Sequence, residues 1–360
     1  MSRRPSLAQF VLAAPLIWAT LSATPAAAEI KQFRDWIAAC DNLRGCSAFG
    51  FDAELSGSSY IRLERDGTAD AALRIAIVVE AQKDVKFRLA FDDSALAGLP
   101  SEPVAGEAAG DDFKRLTIAE PQAVTAVLAS LRKAKTLVVT RIDPAGAPPS
   151  DPVKSEISLS GLAAALLWID DQQKRVGTVT ALIGHGDKPV SAVPAVPALP
   201  VVAAAKRATA PVPKKAPAAV IAKARAVCED KKVGEPDDTV RLDANTVMYS
   251  FVCANLSGAY NSFNALVIDQ PGKPVRLAEF KFPREYGAKD RDYSPINASF
   301  DEATQTLSTF NKGRGIGDCG SSSDWVWDGQ AFRMIQSKAM PECHGIGESD
   351  WPVVYRAERK

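Results

Sequence analysis

The stretch from residue 188 to residue 222 constrains the fold most, because alanine and proline dominate it. It holds 12 alanines and seven prolines, a composition that cannot bury a hydrophobic core and that favours an extended chain. The sequence therefore predicts two folded domains, residues 29–187 and 223–360, joined by a mobile Ala/Pro-rich linker at residues 188–222.

The charge of the chain is unevenly distributed. Seven basic residues and no acidic residue lie between Lys188 and Cys228, whereas the rest of the predicted mature chain carries 34 basic and 43 acidic residues. We expect the basic linker to be a soluble spacer that resists collapse, with adhesion to an anionic envelope surface as the alternative. A nucleic-acid-binding protein would carry its basic residues on a folded face, so we expect no nucleic acid partner.

Residues 1–28 have the pattern of a secretory signal peptide. Two arginines precede an uncharged and mostly apolar run from Leu7 to Ala23, and Ala26–Ala28 supply the small residues that a signal peptidase requires. We expect cleavage before Glu29, no transmembrane segment in the mature chain, and a periplasmic or secreted location in a bacterium.

The six cysteines are expected to form disulfides, because secretion places them in an oxidising compartment. Six cysteines allow 15 pairings. The sequence favours the local pairing, which keeps each bond within one predicted domain: Cys40–Cys46, Cys228–Cys253 and Cys319–Cys343. A zinc site is the alternative, but the chain has no CxxC pair and only two histidines, so we expect no metal.

The pattern of the first domain predicts an α+β fold, with an antiparallel sheet and two helices. The apolar residues that alternate from Leu73 to Val79 are typical of a half-buried strand. Pro121 opens one helix, because a missing amide costs nothing in the first turn. A second helix is expected from Leu162 to about residue 175, followed by a closing strand at Thr178–Ile183.

The second domain is predicted to be all-β and antiparallel, either a meander or a small barrel. Strand patterns recur along it, Pro271–Gly272 and Asp328–Gly329 mark turns, and it shows no convincing long helix.

A glycine-rich stretch, Asn311–Gly320, is the most distinctive feature of the second domain. Its Gly315-x-Gly317-x-x-Gly320 pattern matches a dinucleotide-binding loop, but a cysteine lies inside it and a strand, not a helix, is expected after it. We therefore expect no cofactor. The glycines shape a tight loop, and we consider that this loop binds a partner. The candidate binding residues are Arg314, Asp318, Trp325, Trp327 and His344.

Catalysis is the alternative function for this region. A Cys319–Cys343 bond would bring His344 towards the serines at positions 321–323, with Asp318 or Asp324 behind it, as in a Ser/His hydrolase. The chain has no GxSxG elbow, so the sequence assigns no catalytic residue. Adjacent acids such as Asp170–Asp171 lack calcium-loop spacing and are expected to lie in solvated turns.

Both ends of the predicted mature chain carry motifs that resemble a known family. The first motif is Trp36-x-x-x-Cys40–Asp41–Asn42-x-Arg44-x-Cys46. The second is Lys312–Gly313–Arg314–Gly315–Ile316–Gly317–Asp318–Cys319–Gly320, followed by Trp325-x-Trp327–Asp328–Gly329-x-x-Phe332. They resemble the bacterial secreted family catalogued as domain of unknown function 1176, which implies an exported protein with no assigned activity. The first domain is also weakly similar to the invasion-associated locus B proteins, through Trp36-x-x-x-Cys40 and Ser158–Leu162.

We expect from these features a non-enzymatic envelope protein that binds an envelope protein or a glycan. The glycine-rich stretch and the two tryptophans would form its contact surface, because aromatic side chains beside a rigid polar loop suit such contacts. Inhibition of a lysozyme is one concrete version of this hypothesis. The alternatives are the Ser/His hydrolase and a purely structural envelope component.

Overall fold

The computed structural model describes residues 29–52, 59–81, 85–92, 94–95, 102–109, 113–143, 154–283 and 293–360. The predicted signal peptide, residues 1–28, lies outside these described residues. The described chain is mostly β, with mainly antiparallel sheets and three α-helices. None of these helices is long and apolar enough to cross a membrane.

The described residues of the first half form two sheets and two helices. Its strands are β1 (Glu29–Phe33), β2 (Trp36–Cys40), β3 (Cys46–Phe51), β4 (Ser59–Arg65), β5 (Arg74–Glu80), β6 (Lys86–Phe91), β7 (Ser94–Ala95), β8 (Val104–Ala105), β9 (Glu107–Ala108), β10 (Phe113–Ile118), β11 (Thr136–Ile142) and β12 (Lys154–Ser158). The helices are α1 (Pro121–Leu131) and α2 (Leu162–Gln172). The first sheet has the order β1-β2-β3-β4-β5-β10-β9, and the second has the order β12-β11-β6-β7 with β8 paired to β6. One hydrophobic core joins both sheets and both helices.

Both predicted helices are present in this half, together with a hairpin that the first disulfide closes. β2 pairs with β3 so that Cys40 lies opposite Cys46, and a disulfide joins them. Gly161 precedes α2 with φ of 103°, and a Cβ there would lie 1.8 Å from the Phe33 carbonyl oxygen. Only glycine fits this position, because the backbone conformation and the close approach both exclude a side chain.

The predicted closing strand at Thr178–Ile183 is wrong. Within it the structure has turns and one isolated bridge, between Thr178 and Lys188. The backbone N–H groups of Leu182 and Ile183 donate to the buried carboxylate of Asp170. These donors are therefore satisfied by a side chain instead of by a neighbouring strand.

The part of the second half that the structure describes adds a third helix and three more sheets. Its strands are β13 (Val201–Val202), β14 (Asp238–Asp243), β15 (Thr246–Val252), β16 (Asn264–Asp269), β17 (Arg276–Leu277), β18 (Phe280–Lys281), β19 (Ser299–Asp301), β20 (Thr306–Lys312), β21 (Gly320–Trp327), β22 (Phe332–Met340), β23 (Val353–Arg356) and β24 (Glu358–Arg359). One sheet has the order β14-β15-β16-β17, and a larger one has the order β18-β22-β21-β20-β19 with β23 paired to β22. The pairs β13–β24 and β18–β22 are parallel. The prediction that this half is purely antiparallel is therefore wrong.

Helix α3 (Ala218–Val227) begins inside the predicted linker and ends beyond it. Its buried residues Val220 and Ala224 belong to a core that also contains the disulfide cysteines Cys228 and Cys253. The helix was missed because alanine and proline dominate the residues around its start. Spacing of i and i+4 between the two buried residues places them on one face.

The Ala/Pro-rich segment is in contact with both halves and does not run as a free tether. Arg44 of the first half donates to the carbonyl groups of Pro194 and Ala195. β13 pairs with β24 at the C-terminal end of the chain. These hydrogen bonds fix the segment because they satisfy backbone groups that a mobile chain would leave to water. The predicted domain boundaries themselves stay a prediction.

The two halves share a hydrophobic core. Ile37, Phe49 and Val78 of the first sheet pack in one cluster with Met340 and Trp351 of the second half. β5 is consequently buried on both faces, whereas its alternating sequence predicts burial on one face only. The second half covers the face that would otherwise be exposed to water.

Candidate functional site

The loop that joins β20 to β21, Gly313–Cys319, is named the glycine loop here. Lys312 and Gly320 form the last residue pair of the hairpin, and the Gly313 N–H donates to the Cys319 carbonyl at 2.7 Å. Gly320 has φ of 130°, and a Cβ on it would lie 2.0 Å from the Asn311 carbonyl oxygen. The Cys319–Cys343 disulfide then ties the base of the loop to the segment after β22. The glycine loop is therefore closed and held at its base.

An ion pair crosses the glycine loop. The Arg314 Nε donates to Asp318 Oδ1 at 2.7 Å, and the backbone N–H of Gly345 donates to Asp318 Oδ2 at 2.7 Å. Burial alone would raise the pKa of the Asp318 carboxyl, but the hydrogen bonds from Arg314 and Gly345 together lower it. The sequence-predicted residues Arg314 and Asp318 are thus brought together, and Asp318 serves to hold the loop as an ionised, buried acceptor.

The two tryptophans of the predicted contact surface are buried. Trp325 has no exposed surface, its Nε1 donates to Thr309 Oγ1, and its ring packs edge-on against Phe280 with centroids 5.0 Å apart. Trp327 is also buried, and its Nε1 donates to Asp243 Oδ2 at 2.7 Å. The prediction that these indoles form an exposed contact surface is wrong, because both rings belong to the core of the second half.

The side chain exposed at the tip of the glycine loop is Ile316. It is 77% exposed, the highest value among the exposed large hydrophobic residues of the described chain. Tyr260 lies beside the loop, with its ring next to Gly315 and its hydroxyl donating to the Gly313 carbonyl at 3.4 Å. Sequence reasoning missed both residues. The signal for Ile316 was an isolated apolar residue between two glycines.

His344 lies at the boundary between the halves, beside the base of the glycine loop. Its ring stacks on Phe51 of the first half, with centroids 3.7 Å apart, and its Nε2 is 3.2 Å from Glu342 Oε2. Burial lowers the pKa of His344 and outweighs the opposing effect of Glu342. The ring lines a cavity of about 260 Å³ together with Asp35 and Asp52. His344 therefore packs as a largely buried and uncharged ring at neutral pH.

The contacts of the nearby serines do not support a hydrolase. Ser322 Oγ donates to Glu348 Oε1 at 2.6 Å, and Ser323 Oγ is hydrogen-bonded to Ser337 Oγ. Among the described residues, no serine forms a hydrogen bond with the His344 ring. A nucleophilic serine needs such a base within hydrogen-bond reach, and here the histidine is paired with a glutamate instead.

Asp318, Cys319 and Cys343 lie close enough together to suggest a metal site, with their ligand atoms within 4.8 Å. The two sulfur atoms are bonded to each other, so neither is available as the thiolate that a metal requires. Asp318 is engaged by Arg314 and Gly345 as well. The three side chains lie close together because the disulfide and the hydrogen bonds of Asp318 close the glycine loop.

Comparison with known proteins places the chain in a family without assigned activity. The profile of the family described as "Protein of unknown function (DUF1176)" matches residues 30–358. The chain is 29% identical to the uncharacterized protein YpfG of Escherichia coli strain K12, over 96% of each chain. It is also similar to the crystal structure of invasion associated protein B from Bartonella henselae, at 16% identity, with a TM-score of 0.30 and coverage of 41% of this chain and 99% of the other. The chain belongs to the DUF1176 family.

Proposed function

We propose that this protein is an exported, non-enzymatic binding module that contacts a partner protein of the cell envelope through the tip of the glycine loop. The observation that carries the proposal is the 77% exposure of Ile316 on a loop closed by a disulfide and an ion pair. When a partner covers a large apolar side chain that was exposed to water, the free energy of the complex falls. A loop that is already ordered loses little conformational entropy on binding.

The surroundings of Ile316 support a protein partner more than a glycan. Tyr260 is 43% exposed, and the Arg314 side chain is 47% exposed although it is paired with Asp318. Tyrosine and arginine are enriched among the residues that carry most of the energy of protein interfaces. The indoles of Trp325 and Trp327, which the sequence suggested for contact with a glycan, are covered.

Export is part of the same proposal. The N-terminal sequence has the pattern of a signal peptide, and all six cysteines are paired in disulfides. Disulfides persist in oxidising compartments and are rare in the bacterial cytoplasm. Both features support an extracytoplasmic location.

The test is affinity capture from the cell envelope with tagged wild-type protein, an Ile316→Asp variant and a Val179→Asp variant. Val179 is the matched control, because it is a 54% exposed apolar residue of the other half. We expect one partner to be retained by the wild type and the control and to bind Ile316→Asp at least about 30-fold more weakly, as for a hot-spot residue. Equal capture by all three proteins, or capture of nothing by any of them, would contradict the proposal.

A further inference from the structure

A four-residue bridge, Val212–Lys215, is anchored to the second half at both ends. On one side the Arg241 guanidinium donates to the carbonyls of Ala210 and Pro211, each at 2.9 Å. On the other side the Ala216 N–H donates to Glu235 Oε2 at 3.2 Å. All four residues of the bridge are exposed. The bridge therefore presents its side chains to solvent from a fixed position.

This region carries three exposed lysines. Lys206, Lys214 and Lys215 are exposed and form no ion pair within the described chain. The neighbouring Arg207 differs, because it lies near an acid. Hydrogen bonds from Thr304 and Ala303, together with the charge of Arg207, lower the pKa of Asp301. Most other exposed cations of a protein surface sit among acids of opposite sign, whereas the stretch from Lys188 to Cys228 contains no acid at all. Three positive charges are thus available to a negatively charged partner.

Exposed apolar side chains accompany these lysines. Four of the twelve exposed large hydrophobic residues of the described chain lie between residues 190 and 212: Val190, Leu199, Val201 and Val212. Val212 is 39% exposed, between two prolines, and stands two residues before Lys214. Exposed apolar residues beside cations are typical of segments that rest on a lipid surface.

We propose that the segment from Val201 to Lys215 is an attachment surface for a bilayer of anionic phospholipids. The ammonium groups of Lys206, Lys214 and Lys215 pair with lipid phosphates, and Val212 enters the boundary between headgroups and acyl chains. A nucleic acid offers phosphates but no apolar layer, so it would leave Val212 without a role. The rest of the mature chain has more acidic than basic residues and is repelled by a negatively charged surface. The protein would therefore approach such a surface with this segment and not with the opposite side.

The fixed position of the segment changes the balance between the two interpretations of its lysines. A mobile linker would use its charges to stay soluble and extended. A segment that is hydrogen-bonded to the folded chain at Arg44, Arg241 and β24 does not need charge to remain extended. Its lysines are free for recognition, and this inference does not depend on the partner proposed for the glycine loop.

The experiment is co-sedimentation of the purified, processed protein with vesicles of phosphatidylglycerol mixed with phosphatidylcholine, and with vesicles of phosphatidylcholine alone. We expect binding to the anionic vesicles only, and binding that weakens as salt rises. The variant Lys206→Gln/Lys214→Gln/Lys215→Gln should bind on the order of 100-fold more weakly, because each lysine near an anionic bilayer contributes about fivefold. The variant Val212→Ser should also bind more weakly, by several-fold.

The control variant removes the same number of charges elsewhere, in the first half: Lys86→Gln/Lys133→Gln/Lys174→Gln. These three lysines are exposed, and their loss should leave vesicle binding unchanged. The proposal is overturned by absence of binding to anionic vesicles, or by equal losses in both triple variants. It is also overturned if a single-stranded oligonucleotide binds as tightly as the vesicles and Val212→Ser has no effect on either, because a general attraction to polyanions would then suffice.

Discussion

Asp170 connects three parts of the first half through one fully buried carboxylate. It accepts a hydrogen bond from Arg65 Nη2 of β4 at 2.9 Å, and it accepts the backbone N–H groups of Leu182 and Ile183, each at 2.8 Å. Burial of a charge is tolerable only when it is paired and hydrogen-bonded, and here both conditions are met. The expectation that Asp170 lies in a solvated turn is wrong, because its partners come from strand β4 and a distant turn.

The Asp170→Asn variant should be strongly destabilised, by about 3–5 kcal/mol, because it leaves Arg65 buried without its counter-charge. Asp171 is the next residue and is exposed, so Asp171→Asn should change the free energy of unfolding by less than about 0.5 kcal/mol. Urea denaturation of both variants measures the difference. Similar stability of the two variants would show that the ion pair contributes little.

The residues of the glycine loop illustrate how far a sequence predicts a site. The glycines, Arg314, Asp318 and the Cys319–Cys343 bond were predictable, because their spacing in the chain is short and their chemistry is local. The burial of Trp325 was not predictable, because the rings that cover it, Phe280 and Tyr293, lie far from it in the sequence. Ile316 was missed because a single apolar residue at a surface is ordinary. Only its position on a fixed loop distinguishes it.

The strands of the fold follow closely from the alternation of apolar residues. β5 lies within one residue of the predicted alternation from Leu73 to Val79. Helix α1 begins at Pro121, as its sequence predicts. The predictions are wrong where an element is stabilised by contacts with residues that are distant in the sequence. Thr178–Ile183 has the apolar alternation of a strand but is organised by Asp170, and α3 is stabilised by packing against β16 despite its proline-rich approach.

The parallel pairs were beyond prediction for the same reason. β18 joins β22, and β13 joins β24, across long sequence separations. Local patterns specify that a strand forms but not which neighbour it takes. The composition of the Ala/Pro-rich segment therefore predicts a linker, although its backbone groups form hydrogen bonds with the last strand of the chain.

A latch of charged and aromatic groups joins the two halves of the molecule. Asp350 of the second half accepts hydrogen bonds from Arg115 Nη2 at 2.7 Å, from Arg62 Nη1 at 3.2 Å, and from the hydroxyl of Tyr60. Burial alone would raise the pKa of Asp350, but these three partners together lower it below its usual value. The latch lies beside the apolar core that the halves share. Both features hold the glycine loop in a fixed relation to the first half.

The latch predicts an acid-dependent stability. Because the pKa of Asp350 is lower in the folded than in the unfolded chain, its contribution is present above the unfolded value of about 3.9 and is lost as the pH falls through the folded pKa. Asp350→Asn should therefore lower the free energy of unfolding by about 2 kcal/mol at pH 7, and by less at pH 3, where the unfolded carboxyl is largely protonated. Denaturant unfolding at both pH values measures this.

Glu302→Gln is the control for the latch, since Glu302 is an exposed acid of the same half. It should leave stability nearly unchanged at either pH. A destabilisation by Asp350→Asn that is the same at pH 7 and pH 3 would contradict an ionic latch and would indicate a loss of packing alone.

Photo-crosslinking in living cells, from a photoreactive amino acid placed at position 316, tests the binding role most directly. The same amino acid at position 179 is the control, because Val179 is exposed on the other half. We predict one dominant protein adduct from position 316 that is absent from position 179 and that disappears when Arg314 is replaced by alanine, since the loop then loses its ion pair. No adduct from position 316, or the same adducts from both positions, would contradict the proposal that the glycine loop is the contact surface of this protein.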